Sequence, residues 1–243
     1  MRLHSTTAGD GARHIGLVHG LGADGTTWDP LVERLLTTGR YRITTIDLRG
    51  HGRSDRASSY ALDDLANDLA ETLPPQLHGV IGHSLGGAVL ARAVEHLAPE
   101  RAIYLDPGFR LTIPTTGIAG RLFWLVPIVT LGAAQLLQAR KTAASRARYP
   151  ADVQTAMKAA QARFDTRMAI EVFRDVAFHP VPVAPPVVPS TIVLSDDSPA
   201  VLPDVYASKL EAAGWEVRRI PGVHHDMHLE DPGRTAEMIL DLL

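Results

Sequence analysis

One serine in this chain stands where its hydroxyl could act as a nucleophile. Ser84 lies in the middle of GHSLG (82–86), after an apolar run at 77–81 and before an Ala-, Val- and Leu-rich run at helical spacing. Glycines beside the serine allow a tight turn and close approach of neighbouring backbones. This arrangement is typical of a nucleophile elbow, in which the serine sits on a strained turn from strand to helix. The alternative is an ordinary turn, because glycine and serine are common turn formers.

A neutral serine hydroxyl is a weak nucleophile and requires a nearby base. The sequence has 11 histidines, three of which lie in HHDMH (224–228). Such a cluster could also bind a metal, but zinc sites need three or four convergent ligands, and the rest of the sequence does not supply them. We therefore expect no metal and no organic cofactor, and a histidine that serves as a base.

Composition excludes several other classes of protein. The chain has 243 residues, a net charge of −3 and no cysteine, which excludes disulfides and thiolate chemistry. No basic block indicates a nucleic-acid partner. The N-terminal residues lack a signal-peptide core, so we expect a cytoplasmic protein. The apolar segment 122–137 is shorter than the roughly 20 residues of a membrane span and contains Pro127, which argues against membrane insertion.

The elements that must position Ser84 alternate between strands and helices. Apolar runs predict six strands, and periodic apolar positions predict a helix after most of them. The predicted strands are 14–20, the start of 41–55, 77–82, 101–108, 191–195 and 215–220, and the predicted helices are 28–37, 61–73, 85–97, 203–213 and a final helix to Leu243. This order predicts an α/β fold with a doubly wound, mainly parallel sheet.

The alternation stops between residues 108 and 180. That stretch contains no convincing strand but carries a helical pattern through the second half, and a proline-rich connection at 179–189 follows it. Prolines exclude a helix interior or a central strand there. We therefore expect a helical insertion that interrupts the α/β core.

Four motifs occur in the order in which the α/β-hydrolase family carries them. They are HGLGADGTTWDPL (19–31), IDLRGHGRSD (46–55), GHSLGG (82–87) and PGVHHDMHLEDP (221–232). The sequence resembles this family over nearly its whole length. The resemblance implies an α/β-hydrolase core formed by residues 1–107 and 186–243, with residues 108–185 as an inserted helical cap.

The resemblance also implies roles for individual residues. Ser84 matches the nucleophile, and His225 matches the general base. The backbone N–H groups of Leu21 and Leu85 match the pair that stabilises an oxyanion, a task for which their side chains are not needed.

The acid of the triad is less clear from the sequence. The commonest family position follows strand 191–195, and a reading without gaps places Ser198 there, with Asp196 and Asp197 one or two residues early. Other members carry the acid after the preceding strand, where this chain has Asp106. We expect Asp106 to be the acid, with Asp197 and then Asp196 as the alternatives, because a triad is defined by geometry rather than by sequence position.

The resemblance implies a serine hydrolase acting on an ester or lactone of a small hydrophobic molecule. Thioesterases, carbon–carbon bond hydrolases and non-catalytic ligand-binding proteins share the same motifs, because fold alone does not fix function. Apolar residues of the expected cap could bind the substrate, with Phe123 and Trp124 foremost among Leu122, Phe123, Trp124, Leu125 and Phe164. Packing against one another is the alternative for all of these side chains.

Overall fold

The computed structural model describes residues 1–126, 132, 143 and 146–243. Its strands are β1 (Ser5–Ala8), β2 (Arg13–Val18), β3 (Tyr41–Ile46), β4 (Gly79–His83), β5 (Ala102–Leu105), β6 (Ser190–Leu194) and β7 (Glu216–Arg219). They form one seven-stranded sheet in the order β1-β3-β2-β4-β5-β6-β7. Only β1 pairs antiparallel, with β3, and every other pair is parallel.

Helices cover both faces of the sheet. They are α1 (Asp29–Leu36), α2 (Leu62–Thr72), α3 (Leu85–Leu97), α4 (Gly117–Leu125), α5 (Ala151–Arg163), α6 (Met168–Phe178), α7 (Asp204–Ala212), α8 (Met227–Glu230) and α9 (Pro232–Ile239). Successive strand residues point to opposite faces. Ala102 and Tyr104 of β5 therefore pack with α2 and α3, whereas Ile103 and Leu105 pack with α1 and α9. The expected doubly wound α/β fold is confirmed.

The described residues between β5 and β6 form helices and no strand. α6 packs on the core through Met168, Val172 and Val176, which are buried in the same cluster as α2 and α3. Within the apolar segment 122–137, residues 127–131 and 133–137 lie outside the described residues. None of the helices in the described part of the chain combines the length and apolar character that a membrane crossing requires.

The structure differs from the prediction at two elements. β1 was not predicted, because its sequence STTA is polar and largely exposed and has no apolar alternation. The final helix, predicted to run to Leu243, is α9, which ends at Ile239 and is followed by a short 3-10 turn at Leu240–Leu242. α9 begins at Pro232, which cannot donate a backbone hydrogen bond, and the Asp231 side chain caps the helix by accepting from the N–H of Arg234 at 3.0 Å.

Candidate active site

Ser84 occupies a sharp turn between β4 and α3. Its backbone has φ 51° and ψ −113°, a conformation that non-glycine residues seldom adopt. Glycines make the turn possible: a Cβ on Gly82 would lie 2.6 Å from the Gly86 oxygen, and a Cβ on Gly86 would lie 2.2 Å from the Val18 oxygen. Backbone strain of this kind costs about 1–3 kcal/mol and persists only where the surroundings enforce it.

His225 connects Ser84 to a buried carboxylate. Its Nε2 lies 3.0 Å from the Ser84 Oγ, and its Nδ1 lies 3.2 Å from Oδ2 of Asp106. His225 follows β7 in an irregular loop, and its backbone oxygen accepts a 2.9 Å hydrogen bond from the Nε2–H of His83. Because a carboxylate only accepts, Nδ1 carries the imidazole proton and Nε2 is free to accept the serine proton.

Asp106 lies directly after β5 at the carboxyl edge of the sheet. It is fully buried and has φ 39°, a left-handed conformation that aspartate tolerates better than most residues. Its Oδ1 accepts from the Ser195 N–H at 2.8 Å and from the Ser198 hydroxyl, and the Ser195 hydroxyl donates to Oδ2. The carboxylate thus has hydrogen-bond partners on both oxygens.

These contacts set the protonation states of the pair. Burial by itself would raise the pKa of Asp106, but hydrogen bonds from His225, Ser195 and Ser198 and the charge of His225 hold that pKa below its usual value. Burial would lower the pKa of His225, but the hydrogen bond and charge of Asp106, with the charge of Asp226, raise that pKa above its usual value. An ionised Asp106 therefore stabilises the imidazolium form of His225.

Two backbone N–H groups near Ser84 are free of hydrogen bonds within the described residues. They belong to Leu21, in the loop after β2, and to Leu85, the first residue of α3. The first N–H groups of a helix have no intrahelical partner and attract negative charge. These are the amides expected to face an oxyanion, and that role remains a prediction.

Buried histidines hold the loop that contains Leu21. His51 donates through Nδ1 to the Arg49 oxygen and accepts through Nε2 from the N–H of Gly22 at 3.0 Å. Burial, with the charge of His19, lowers the pKa of His51 to about 3, so the ring is neutral and can accept this bond. His19 likewise accepts from the Leu48 N–H at 3.0 Å. Both histidines therefore hold loops in place through their ring nitrogens.

A cavity of about 160 Å³ opens beside Ser84 and His225. The remaining described residues that line it come from the segment after β2, the end of β4, residues 146–161 and the segment after β7: Gly20, Leu21, Gly22, Ala23, Thr27, His83, Arg146, Met157, Gln161, Asp226, His228 and Leu229. Phe123 and Trp124 are not among them. The two rings contact each other, and Trp124 also packs on Phe178, so their substrate-binding role stays a prediction.

The alternative acids lie apart from the imidazole. Asp196 accepts from the Gly222 N–H at 2.9 Å, and the Asp197 backbone N–H donates to the Ser195 hydroxyl at 3.1 Å. Neither carboxylate makes a hydrogen bond to His225 among the described contacts. The structure therefore brings Asp106, rather than Asp196 or Asp197, to the imidazole.

The neighbouring histidines have other surroundings. His224 pairs with Glu230 at 2.9 Å, and this hydrogen bond raises the pKa of His224. His228 is buried against Trp28, and its Nδ1 has no hydrogen-bond partner within the described chain. Among the described residues, no group of three or more His, Cys, Asp or Glu is placed to hold a metal ion.

The sequence did not single out several residues of the site. Arg146 forms an ion pair with Asp226, with Nη2 2.8 Å from Oδ2, and so contacts the residue after His225. That charge, together with the surrounding histidines, lowers the pKa of Asp226 to about 2 against the opposing effect of burial. Ser198 did carry a signal, because it stands at the commonest family position of the acid, but no pattern in the sequence connects it with Asp106.

Known proteins resemble this chain both in sequence and in fold. The sequence model of the alpha/beta hydrolase family matches residues 17–238 of this chain. A pimeloyl-[acyl-carrier protein] methyl ester esterase from Aliivibrio salmonicida is 36% identical over 104 residues, which cover 42% of this chain and 38% of that protein. The Vibrio vulnificus protein of the same name is 38% identical over 104 residues, which cover 43% of this chain and 38% of that protein. The chain thus matches about two fifths of the length of these curated relatives.

Solved structures resemble the fold over almost its full length. A hydrolase from Oleispira antarctica has a TM-score of 0.77 at 18% identity, covering 99% of this chain and 94% of that one. An esterase from Exiguobacterium antarcticum has a TM-score of 0.76 at 14% identity, with 99% and 94% covered. At this level of identity the likeness concerns the fold.

Proposed function

Because the chain belongs to the alpha/beta hydrolase family, we propose that it is a serine hydrolase that cleaves a carboxylic ester or lactone through an acyl-enzyme. The observation that carries this proposal is the line of contacts from Ser84 Oγ to His225 Nε2, at 3.0 Å, and from His225 Nδ1 to Asp106 Oδ2, at 3.2 Å. Both lengths lie within the reach expected of a nucleophile, its base and the group that orients the base.

In this mechanism the Ser84 oxygen attacks the substrate carbonyl carbon while His225 Nε2 takes the hydroxyl proton. The negative charge that develops on the carbonyl oxygen is stabilised by the N–H groups of Leu21 and Leu85, and each such donor is worth about 3–4 kcal/mol of barrier. The carbon–oxygen bond of the leaving group then breaks, and His225 returns the proton to the departing alkoxide. Water, deprotonated by His225, next attacks the acyl-enzyme and releases the acid and Ser84.

Asp106 supports both steps without becoming protonated. Its contact with Nδ1 keeps the proton on that nitrogen and leaves Nε2 available to Ser84. Its negative charge stabilises the imidazolium that exists between the two proton transfers. The lowered pKa of Asp106 means that it carries this charge throughout the neutral pH range.

The names of the relatives support an ester as the bond that is cleaved. The matched proteins are called methyl ester esterases, although the match covers only 38% of their length. We propose a small substrate with an apolar portion, placed against Leu21, Met157 and Leu229 in the cavity. Thr27 and Gln161 also line the cavity and would hydrogen-bond the polar groups of the substrate. Residues 108–185 would act as the cap, since Arg146, Met157 and Gln161 from this range line the cavity.

Hydrolysis of p-nitrophenyl acetate and butyrate tests the proposal. We expect turnover by the wild type and loss of the enzyme-dependent rate in Ser84→Ala, with His224→Ala as a control that leaves Ser84 and His225 in place. Both variants must show wild-type circular dichroism. A folded wild-type protein without turnover on either ester would contradict the proposal and favour a non-catalytic ligand-binding protein. Turnover that persists in Ser84→Ala would also contradict it.

A further inference from the structure

Two serines that hydrogen-bond to the Asp106 carboxylate have no part in the mechanism above. Ser195 directly follows β6, and Ser198 begins the 3-10 turn Ser198–Ala200. Both are buried, with exposed fractions of 3% and 0%. Buried hydroxyl groups require hydrogen-bond partners, so their protons must go to specific acceptors.

The hydroxyl protons of both serines go to Asp106. The Ser195 hydroxyl accepts from the Asp197 N–H at 3.1 Å, which leaves its own proton for Oδ2 of Asp106. The Ser198 hydroxyl lies within reach of Oδ1 of Asp106 and, at 2.8 Å, of the Ser195 backbone oxygen. A hydroxyl has one proton, and an ionised acceptor forms the stronger bond. The carboxylate is therefore the preferred acceptor for Ser198.

These donors fix the rotation of the carboxylate. Oδ1 is held by the Ser195 N–H at 2.8 Å and by the Ser198 hydroxyl, and Oδ2 is held by the Ser195 hydroxyl. With these bonds formed, Oδ2 lies 3.2 Å from the His225 Nδ1. Rotation about the Asp106 side chain would break at least one of the serine bonds, so the bonds keep an oxygen in front of the imidazole.

We propose that Ser195 and Ser198 are positioning residues that hold the Asp106 carboxylate in line with His225. The inference rests on the proposed function, because it gives these serines a role in activating Ser84. It concerns geometry around Asp106 and requires neither serine to contact the substrate. Loss of either hydroxyl would let the carboxylate rotate and would weaken its contact with His225.

The test compares Ser198→Ala and Ser195→Ala with Ser190→Ala. Ser190 is a matched control because it is a buried serine on β6 whose hydroxyl donates to the Val188 oxygen at 2.8 Å. We expect each test variant to lower kcat about tenfold with KM unchanged, since a hydrogen bond to a charged group is lost. The control should keep the wild-type kcat. If the three variants lose Tm equally, a lower kcat in the two test variants alone cannot be explained by lower stability.

A second readout reports on His225 directly. A weaker contact with Asp106 lets the pKa of His225 fall toward its ordinary value, so the acidic limb of kcat/KM should move to lower pH in both test variants. The low-field proton resonance of the His225 Nδ1–H, assigned by its absence in His225→Ala, should broaden or move upfield. The inference would be overturned if Ser195→Ala and Ser198→Ala had the same kcat, the same acidic limb of kcat/KM and the same proton resonance as Ser190→Ala.

The two proposals can fail separately. If the wild type hydrolyses no ester, the proposed function fails, but the proton resonance still tests whether the serines position Asp106. If the wild type is active and the serine variants keep its kcat and pH limb, the positioning inference alone fails.

Discussion

Replacement of Asp106 by asparagine should preserve the fold and nearly abolish ester hydrolysis. The Ser195 N–H can only donate, so the amide oxygen of asparagine must take the place of Oδ1, which accepts that 2.8 Å bond. The amide NH₂ then takes the place of Oδ2, 3.2 Å from the His225 Nδ1. Two donors cannot face each other, so His225 adopts the tautomer with its proton on Nε2 and can no longer accept a proton from Ser84.

The expected loss follows from this change of tautomer. Amidation of a triad aspartate that leaves the geometry intact lowers kcat about 10⁴-fold, which corresponds to about 5 kcal/mol of barrier at 1.36 kcal/mol per tenfold change. The assay is steady-state hydrolysis of p-nitrophenyl butyrate, with Tm measured in parallel.

Asp197→Asn is the matched control for this experiment. Asp197 lies on the neighbouring loop, its backbone N–H contacts Ser195, and its carboxylate makes no contact with His225 among the described residues. We expect its kcat to stay within a few-fold of wild type. The reasoning would be refuted by an Asp106→Asn enzyme that keeps kcat within tenfold of wild type, or by a larger loss in Asp197→Asn.

Three further predictions follow from the site. Because the pKa of His225 is raised and a base must be neutral, kcat/KM should increase with pH through a midpoint above 6.5, and a pH–rate profile with a lower midpoint would contradict the assignment. His225→Ala should lower kcat by about 10⁴- to 10⁶-fold. His224→Ala, which loses only the pair with Glu230, should lower kcat far less, and steady-state kinetics of the two folded variants tests this. Gly86→Ala should destabilise the protein by about 3 kcal/mol or more in urea unfolding, because its Cβ would lie 2.2 Å from the Val18 oxygen, and an unchanged midpoint would refute this packing.

Most of the α/β core can be predicted from the sequence because its strands are apolar and its helices are amphipathic. The strand predicted at 191–195 differs by one residue at each end from β6 (Ser190–Leu194), and the helix predicted at 85–97 coincides with α3. β1 lacks such a pattern: it is polar and exposed and depends on its pairing with β3, a partner far away in sequence. Local periodicity cannot reveal a strand of this kind.

The site is less predictable because it is assembled from loops. The position of Ser84 follows from local sequence, since only glycines permit the close contacts of Gly82 and Gly86. The partner of His225 does not, because Asp106, Asp196 and Asp197 all follow strands that end at the same edge of the sheet. Side-chain direction decides between them, and it is set by the left-handed backbone of Asp106 and its bonds to Ser195 and Ser198.

Covalent labelling of Ser84 tests the central claim most directly. The wild-type protein, treated with a fluorophosphonate and analysed by intact mass and peptide mapping, should gain one adduct per chain, located on Ser84. Ser84→Ala should gain none, and His225→Ala should react far more slowly, because the nucleophile lacks the base now 3.0 Å away. A folded wild-type protein that stays unlabelled, or an adduct that persists in Ser84→Ala, would contradict the account.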